Sequence, residues 1–140
     1  MKKIKVGIAG LGRLGRTHAQ NLAFSVPGAE LVAACSVVPE ELEYAKRELG
    51  VANTYDDFAQ MCSNPEIDAV AIVSPSAFHA EQITAALKAG KHIFCEKPLA
   101  VSEEECIAIE EEVAKHPECI FMLGFMRRYD PSYAYAKKKI

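Results

Sequence analysis

The chain has 140 residues, 50% of them hydrophobic, enough to bury one substantial core and short for two ordinary domains. Sixteen lysines and arginines against 19 aspartates and glutamates leave a net charge of -3 and a pI near 5.8, without the basic face of a nucleic-acid-binding surface. The opening MKKIKVGIAG turns glycine-rich after a very short apolar stretch and reads as neither a secretory signal nor a membrane span.

In chain order, Ile4 to Ala9 form a short apolar strand, followed by the glycine turn GLGRLG and a helix from Arg13 to Phe24 with Leu14, Ala19 and Leu22 at helical spacing. Pro27 and Gly28 stop it, and Glu30 to Cys35 is the second strand. Pro39, with two glutamates behind it, opens a helix that Gly50 caps. A minor strand at Asn53 to Tyr55 leads to a short helix from Asp56 to Cys62, and Asn64 and Pro65 turn the chain into the apolar run AVAIVSP. Continuous apolar strands suit a sheet covered on both faces. Ala77 to Lys88 is helical with Ile83 and Leu87 inward, and His92 to Cys95 is the next strand. Ser102 and Glu105 form a capping box for a helix reaching Lys115. Ile120 to Phe125 is the last strand, and Pro131 opens a final helix. Lys137, Lys138 and Lys139, the only basic run, read as a solvated helix face.

Strands and helices in this alternation predict an α/β, doubly wound parallel sheet of the Rossmann type, with ligands at the carboxyl ends of its strands. Those ends carry the glycine turn, Ser36, Ser74 with Pro75, Glu96 with Lys97, and Met126 with Arg127. In the turn, Gly10 allows the tight bend, Gly12 admits a pyrophosphate and Gly15 brings helix close to strand, with Arg13 and Leu14 opening the helix. A strand-to-helix turn without ligand has the same pattern, but its place after the first strand of a βαβ unit selects dinucleotide binding.

The end of the second strand, about 20 residues past the glycines, normally carries the acid that receives the ribose of NAD. Here it is Ser36, a neutral hydroxyl that admits the 2′-phosphate of NADP, with Arg13 in reach. Glu40, Glu41 and Glu43 follow closely and argue the other way, so the cofactor is NAD(P) with a lean to NADP. Lys97 reads either as an exposed loop lysine or as a group that hydrogen-bonds a substrate hydroxyl and relays a proton beside a nicotinamide. Pro98 restricts it to an extended backbone and favours a cis bond. His79 is the one histidine expected near this edge, packing the nicotinamide half or capping backbone; His18, His92 and His116 read as structural or solvent-facing. The five cysteines are odd in number, widely spaced and without a CxxC pair, as expected of reduced, mostly buried thiols in a cytoplasmic protein with no metal site.

The segments GLGRLG with THA after it, VSPSAFHAEQ, ALKAGKHIFCEKPLA and GFMRRYDPSY together resemble the N-terminal half of the Gfo/Idh/MocA oxidoreductases, most closely the inositol 2-dehydrogenase branch. The resemblance covers essentially the whole chain. It implies hydride exchange between a sugar or cyclic polyol hydroxyl and a nicotinamide cofactor. It assigns Lys97 to catalysis, His79 and Glu96 to the cofactor neighbourhood, and Met126 and Arg127 to the substrate pocket wall. In the family, an aspartate and a histidine that partner the lysine lie in a C-terminal α/β domain whose open sheet also supports homo-oligomerisation. Residues 1–125 are thus expected to be the dinucleotide-binding domain and 126–140 the start of the connection to that second domain. The chain by itself is expected to bind cofactor without turning over substrate. A dinucleotide-binding sensor domain explains the glycines equally but not EKP at the ligand edge, and a reductase of a linear sugar or another ring ketone fits as well.

Overall fold

The computed structural model describes residues 2–140; Met1, the first residue of the expected 1–125 domain, lies outside them. Six strands form one sheet: β1 (Ile4–Ala9), β2 (Ala29–Cys35), β3 (Asn53–Tyr55), β4 (Ala69–Ile72), β5 (His92–Glu96) and β6 (Phe121–Gly124). All pair in parallel, in the order β3-β2-β1-β4-β5-β6. Between them run α1 (Arg13–Phe24), α2 (Pro39–Leu49), α3 (Phe58–Cys62), α4 (His79–Lys88) and α5 (Glu103–Ala114), and α6 (Pro131–Lys137) follows β6. A chain that begins in mid-sheet, winds one way to β3 and then returns to the other side leaves a crevice between the carboxyl ends of β1 and β4.

Strand alternation feeds two cores. In β4, Val70 and Ile72 point into a layer with Met61, Ile83, Leu87 and Ile109 from α3, α4 and α5. Ala71 points the other way, with Val6, Ile8 and Leu31, against Ala19, Ala45 and Leu49 of α1 and α2. Both faces being covered explains the unbroken apolar runs.

The helix boundaries follow local chemistry. Pro39 occupies the first turn of α2, and Gly50 closes it at φ 69° in the left-handed region that glycine tolerates. Ser102 accepts from the Glu105 amide at 3.2 Å, while the Glu105 carboxylate accepts from Val101, one residue before the reciprocal partner of a full capping box. Three differences from the expected elements are local. α3 starts at Phe58 because the Asp57 side chain caps it, accepting from Gln60 at 2.7 Å. The residues Ser76–Phe78 form a 3-10 turn, so the following helix begins at His79. Strand β4 ends at Ile72; the Val73 amide still donates to the Ala9 carbonyl of β1 at 2.8 Å, and Ser74 and Pro75 then leave the sheet to wall the crevice.

Candidate functional site

The crevice is shaped by how tightly the first turn is folded. Gly10 has φ 88°, and a Cβ on it would stand 2.6 Å from the Ser74 amide nitrogen. A Cβ on Gly15 would overlap the Gly10 carbonyl, so α1 lies directly on the turn. Gly12 caps α1 without a side-chain hydrogen bond, leaving first-turn amides and the positive end of the helix dipole open to an anion. Nothing stands within 4 Å of where a Gly12 Cβ would be.

The cavity above this turn has a volume of about 610 Å³, within the range of small-molecule sites. It is lined by Gly10, Gly12, Arg13, Leu14, Gly15, Ser36, Ser74 and Pro75 among the residues singled out from the sequence. His79, Glu96, Lys97, Met126 and Arg127 stand outside that lining. Leu14, placed by its spacing with the inward residues of α1, is half exposed and faces the cavity instead of the core.

Its far wall is acidic. Ser36 donates its hydroxyl proton to Glu41 Oε2 at 2.5 Å and accepts from the Val38 amide at 3.1 Å. Asp56 and Asp57 line the same end. Burial, and then the charges of Asp57 and Asp56, push the adjacent Cys35 thiol up to about 11. The NADP preference expected from a neutral Ser36 with Arg13 in reach is not supported: the serine proton is directed at the Glu41 carboxylate in an acidic wall.

Lys97 extends from the carboxyl end of β5, exposed, before a cis bond to Pro98. His79 ties its loop to the cavity wall. That buried ring has Nδ1 2.8 Å from the Pro98 carbonyl oxygen and Nε2 2.9 Å from that of Ser74, so EKP and the wall after β4 are held together. Both ring nitrogens thus face backbone carbonyls, and a neutral imidazole donates its one N–H to one of the two. Ser74 itself donates to Gln82 Oε1 at 2.5 Å.

His18 differs from its expected role as a structural or solvent-facing residue, because it sits at this same edge. Its Nε2 lies 2.8 Å from Glu96 Oε1, its ring tilts against Phe94 at 5.3 Å, and Glu96 Oε2 accepts from the Lys97 amide at 3.1 Å. α1 is thereby linked to the backbone that carries Lys97. Gly124 stands opposite Glu96 across β5 and β6, where a Cβ would be 3.3 Å from Glu96 Oε1. The signal was in the helix period: His18 follows Gly15 by three residues, on the face that meets the sheet. After β6, Arg127 pairs with Asp130 at 3.1 Å and lies 5.0 Å over the Tyr133 ring, while Met126 is exposed.

Among the described residues, Cys35, Cys62, Cys95, Cys106 and Cys119 are all free and only Cys106 is not buried. No group of three or more metal-ligating side chains is assembled among them, and no helix is long and apolar enough to cross a membrane.

A doubly wound sheet whose cavity opens over an uncapped helix start at the reversal of strand order is a dinucleotide-binding domain. The chain belongs to the Gfo/Idh/MocA family: the family model, an oxidoreductase family with an NAD-binding Rossmann fold, matches residues 4–125. Among curated relatives, the scyllo-inositol 2-dehydrogenase (NAD(+)) of Bacillus subtilis is 45% identical over 99% of this chain and 40% of its own length. The inositol 2-dehydrogenase/D-chiro-inositol 3-dehydrogenase of Lactiplantibacillus plantarum is 37% identical over 97% of this chain and 39% of its own. Among solved structures, scyllo-inositol dehydrogenase from Lactobacillus casei with bound NAD(H) and scyllo-inositol superposes with a TM-score of 0.96 at 53% identity, covering 98% of this chain and 40% of that one. The chain thus spans about two fifths of the length of these relatives.

Proposed function

We propose that this chain supplies the cofactor-binding part of an NAD-dependent dehydrogenase that exchanges hydride between a ring hydroxyl of an inositol-type polyol and the nicotinamide. The observation that supports this is the His79 ring, which lies between the Pro98 and Ser74 carbonyls and so joins the loop carrying Lys97 to the wall of the dinucleotide cavity. A sensor domain has no use for a lysine held there.

The residues fit the cofactor. The open amides of α1 and the clear space over Gly12 receive the pyrophosphate, and the acidic wall at the end of β2 suits unphosphorylated ribose. NAD is therefore the cofactor we assign, in keeping with the NAD(+) and NAD(H) in the relatives' names. When bound, the nicotinamide accepts or returns the hydride. Lys97 hydrogen-bonds the reacting oxygen and holds a positive charge beside it, while the hydroxyl proton passes to the histidine that the family resemblance places in the C-terminal domain. Glu96 keeps the Lys97 backbone in place through its amide, and His18 keeps Glu96 in place. Met126 and Arg127, following β6, belong to the polyol side of the site. The stretch after Phe125 reads as the connection to a substrate domain of the kind that completes the longer relatives, and homo-oligomerisation through that domain is part of the same proposal.

The test is Lys97→Ala in the full-length protein, assayed as NADH formation from scyllo- and myo-inositol. We expect kcat to fall about 100-fold or more with the Kd for NAD unchanged within about threefold, as for loss of a group acting on the reacting proton. Turnover within a few-fold of the parent would end this assignment.

A further inference from the structure

We propose that Glu41 is the cofactor-specificity residue of this chain, its carboxylate, held by Ser36, standing in for the acid missing from the end of β2. There it accepts the adenosine ribose hydroxyls of NAD and repels a 2′-phosphate. The inference rests on the dinucleotide-binding reading above and assigns a role within that site.

A serine hydroxyl has one proton to give. That of Ser36 is given to Glu41 Oε2 at 2.5 Å, while the Val38 amide donates to Ser36 Oγ at 3.1 Å. Ser36 is buried, at 8% exposure, and so acts as the holder of the carboxylate and not as a donor to phosphate. Glu41 is half-buried and lines the cavity, and its Oε1 makes no hydrogen bond among the described residues, leaving it able to accept.

The local chain geometry brings the carboxylate back to the strand end. Pro39 starts α2 immediately after the short turn from β2, and the Glu41 amide already bonds the Val38 carbonyl at 3.1 Å. Glu41 therefore lies in the first helical turn, five residues on in sequence but beside Ser36 in space. The positive end of the α2 dipole favours a negative charge there.

The surrounding charges agree. Asp56 and Asp57 line the same end of the cavity, and Asp57 Oδ1 is already committed to the Gln60 amide. Arg13 is the only basic side chain in the lining among the described residues. Arg16 on the same helix is not part of the lining; it donates to the Leu11 carbonyl at 3.1 Å and stacks 4.4 Å over Tyr44. A 2′-phosphate placed by Arg13 would meet the Glu41 carboxylate, and removing that carboxylate would leave Arg13 unopposed next to Ser36.

The experiment measures Kd for NAD and for NADP with the full-length parent, Glu41→Gln, Ser36→Ala and Glu43→Gln. The parent should favour NAD. Glu41→Gln should weaken NAD about tenfold and lower the NAD-over-NADP preference about 30-fold or more, the scale of a lost hydrogen bond to a charged group plus relieved repulsion. Ser36→Ala, which frees the carboxylate from its holder, should lower the preference by several-fold. Glu43→Gln removes the same charge from a residue paired at the surface with Lys46 and should leave the preference within about twofold, because exposed charges are screened. If Glu41→Gln is too unstable to measure, Glu41→Ala replaces it with the same expectations. A preference unchanged within about threefold in the Glu41 variant, or a parent that favours NADP, overturns the inference while leaving the dinucleotide site standing. A parent that binds neither nucleotide overturns the site itself.

Discussion

Gly10 and Gly15 meet in space, and the two cannot be exchanged for Gly12 in any account of the turn. A methyl group on Gly15 would overlap the Gly10 carbonyl, whereas one on Gly12 would enter open space. The same three-glycine pattern therefore divides into two structural positions and one ligand position. Gly12→Ala should fold with stability within about 1 kcal/mol of the parent, since Gly and Ala differ by that order in helical segments, yet lose NAD affinity about tenfold or more by filling the phosphate approach. Gly15→Ala should lose the native thermal transition instead. Equal melting and equal NAD affinity for the Gly12 variant would show that the pyrophosphate lies elsewhere. Residue by residue, the glycines, Ser74, Pro75 and Lys97 were legible because chain position at a strand end is a sequence property. Glu41 and His18 were not chosen, because each acts through a partner distant in sequence or around a helix turn: Ser36 for the one, Glu96 for the other. Lys91 was invisible for the same reason. Buried at 7% exposure, it donates to the carbonyls of Asn64 and Ile67 at 2.9 and 2.7 Å, groups that only the fold brings to it.

Among the elements, β2, α3 and β5 each turn one thiol into the layer between the sheet and α3, α4 and α5. Burial pushes Cys35 up to about 11, and Cys62 and Cys95 up to about 12, from an ordinary 9.0, with Lys91 partly opposing the shift at Cys62. A raised folded-state value means that the neutral thiols favour the folded form below about pH 9 and that this contribution is lost as pH rises through 11 to 12. In native protein at pH 8, a maleimide should therefore label these three positions only at the rate of sheet opening, with mass spectrometry reading each site. Fast labelling of Cys95 in folded protein would contradict the buried layer. Element boundaries were readable at Pro39, Gly50 and Ser102, where local chemistry sets them, whereas the Asp57 cap that starts α3 at Phe58 was missed. They were misplaced where tertiary geometry intervenes, as where Ser74 and Pro75 leave the ladder and where Ser76–Phe78 tighten into a 3-10 turn before α4. Both departures lie at the cavity wall, where the chain serves the crevice and not the sheet.

At the scale of the molecule, the strand order puts the glycine turn, Ser36, Ser74 and Lys97 at the carboxyl ends of neighbouring strands, and His79, His18 and Glu96 join α1, the wall after β4 and the EKP loop. The proposed function requires a dinucleotide lying across this edge with its pyrophosphate on α1 and its nicotinamide end toward Lys97. The most direct measurement is a crystal structure of the full-length protein with NAD. We expect pyrophosphate oxygens within hydrogen-bonding distance of the first amides of α1, adenosine ribose at Glu41, and the nicotinamide on the side of the Lys97 ammonium. Density for NAD outside this crevice, or bound in it with the nicotinamide pointing away from the EKP loop, would contradict that arrangement.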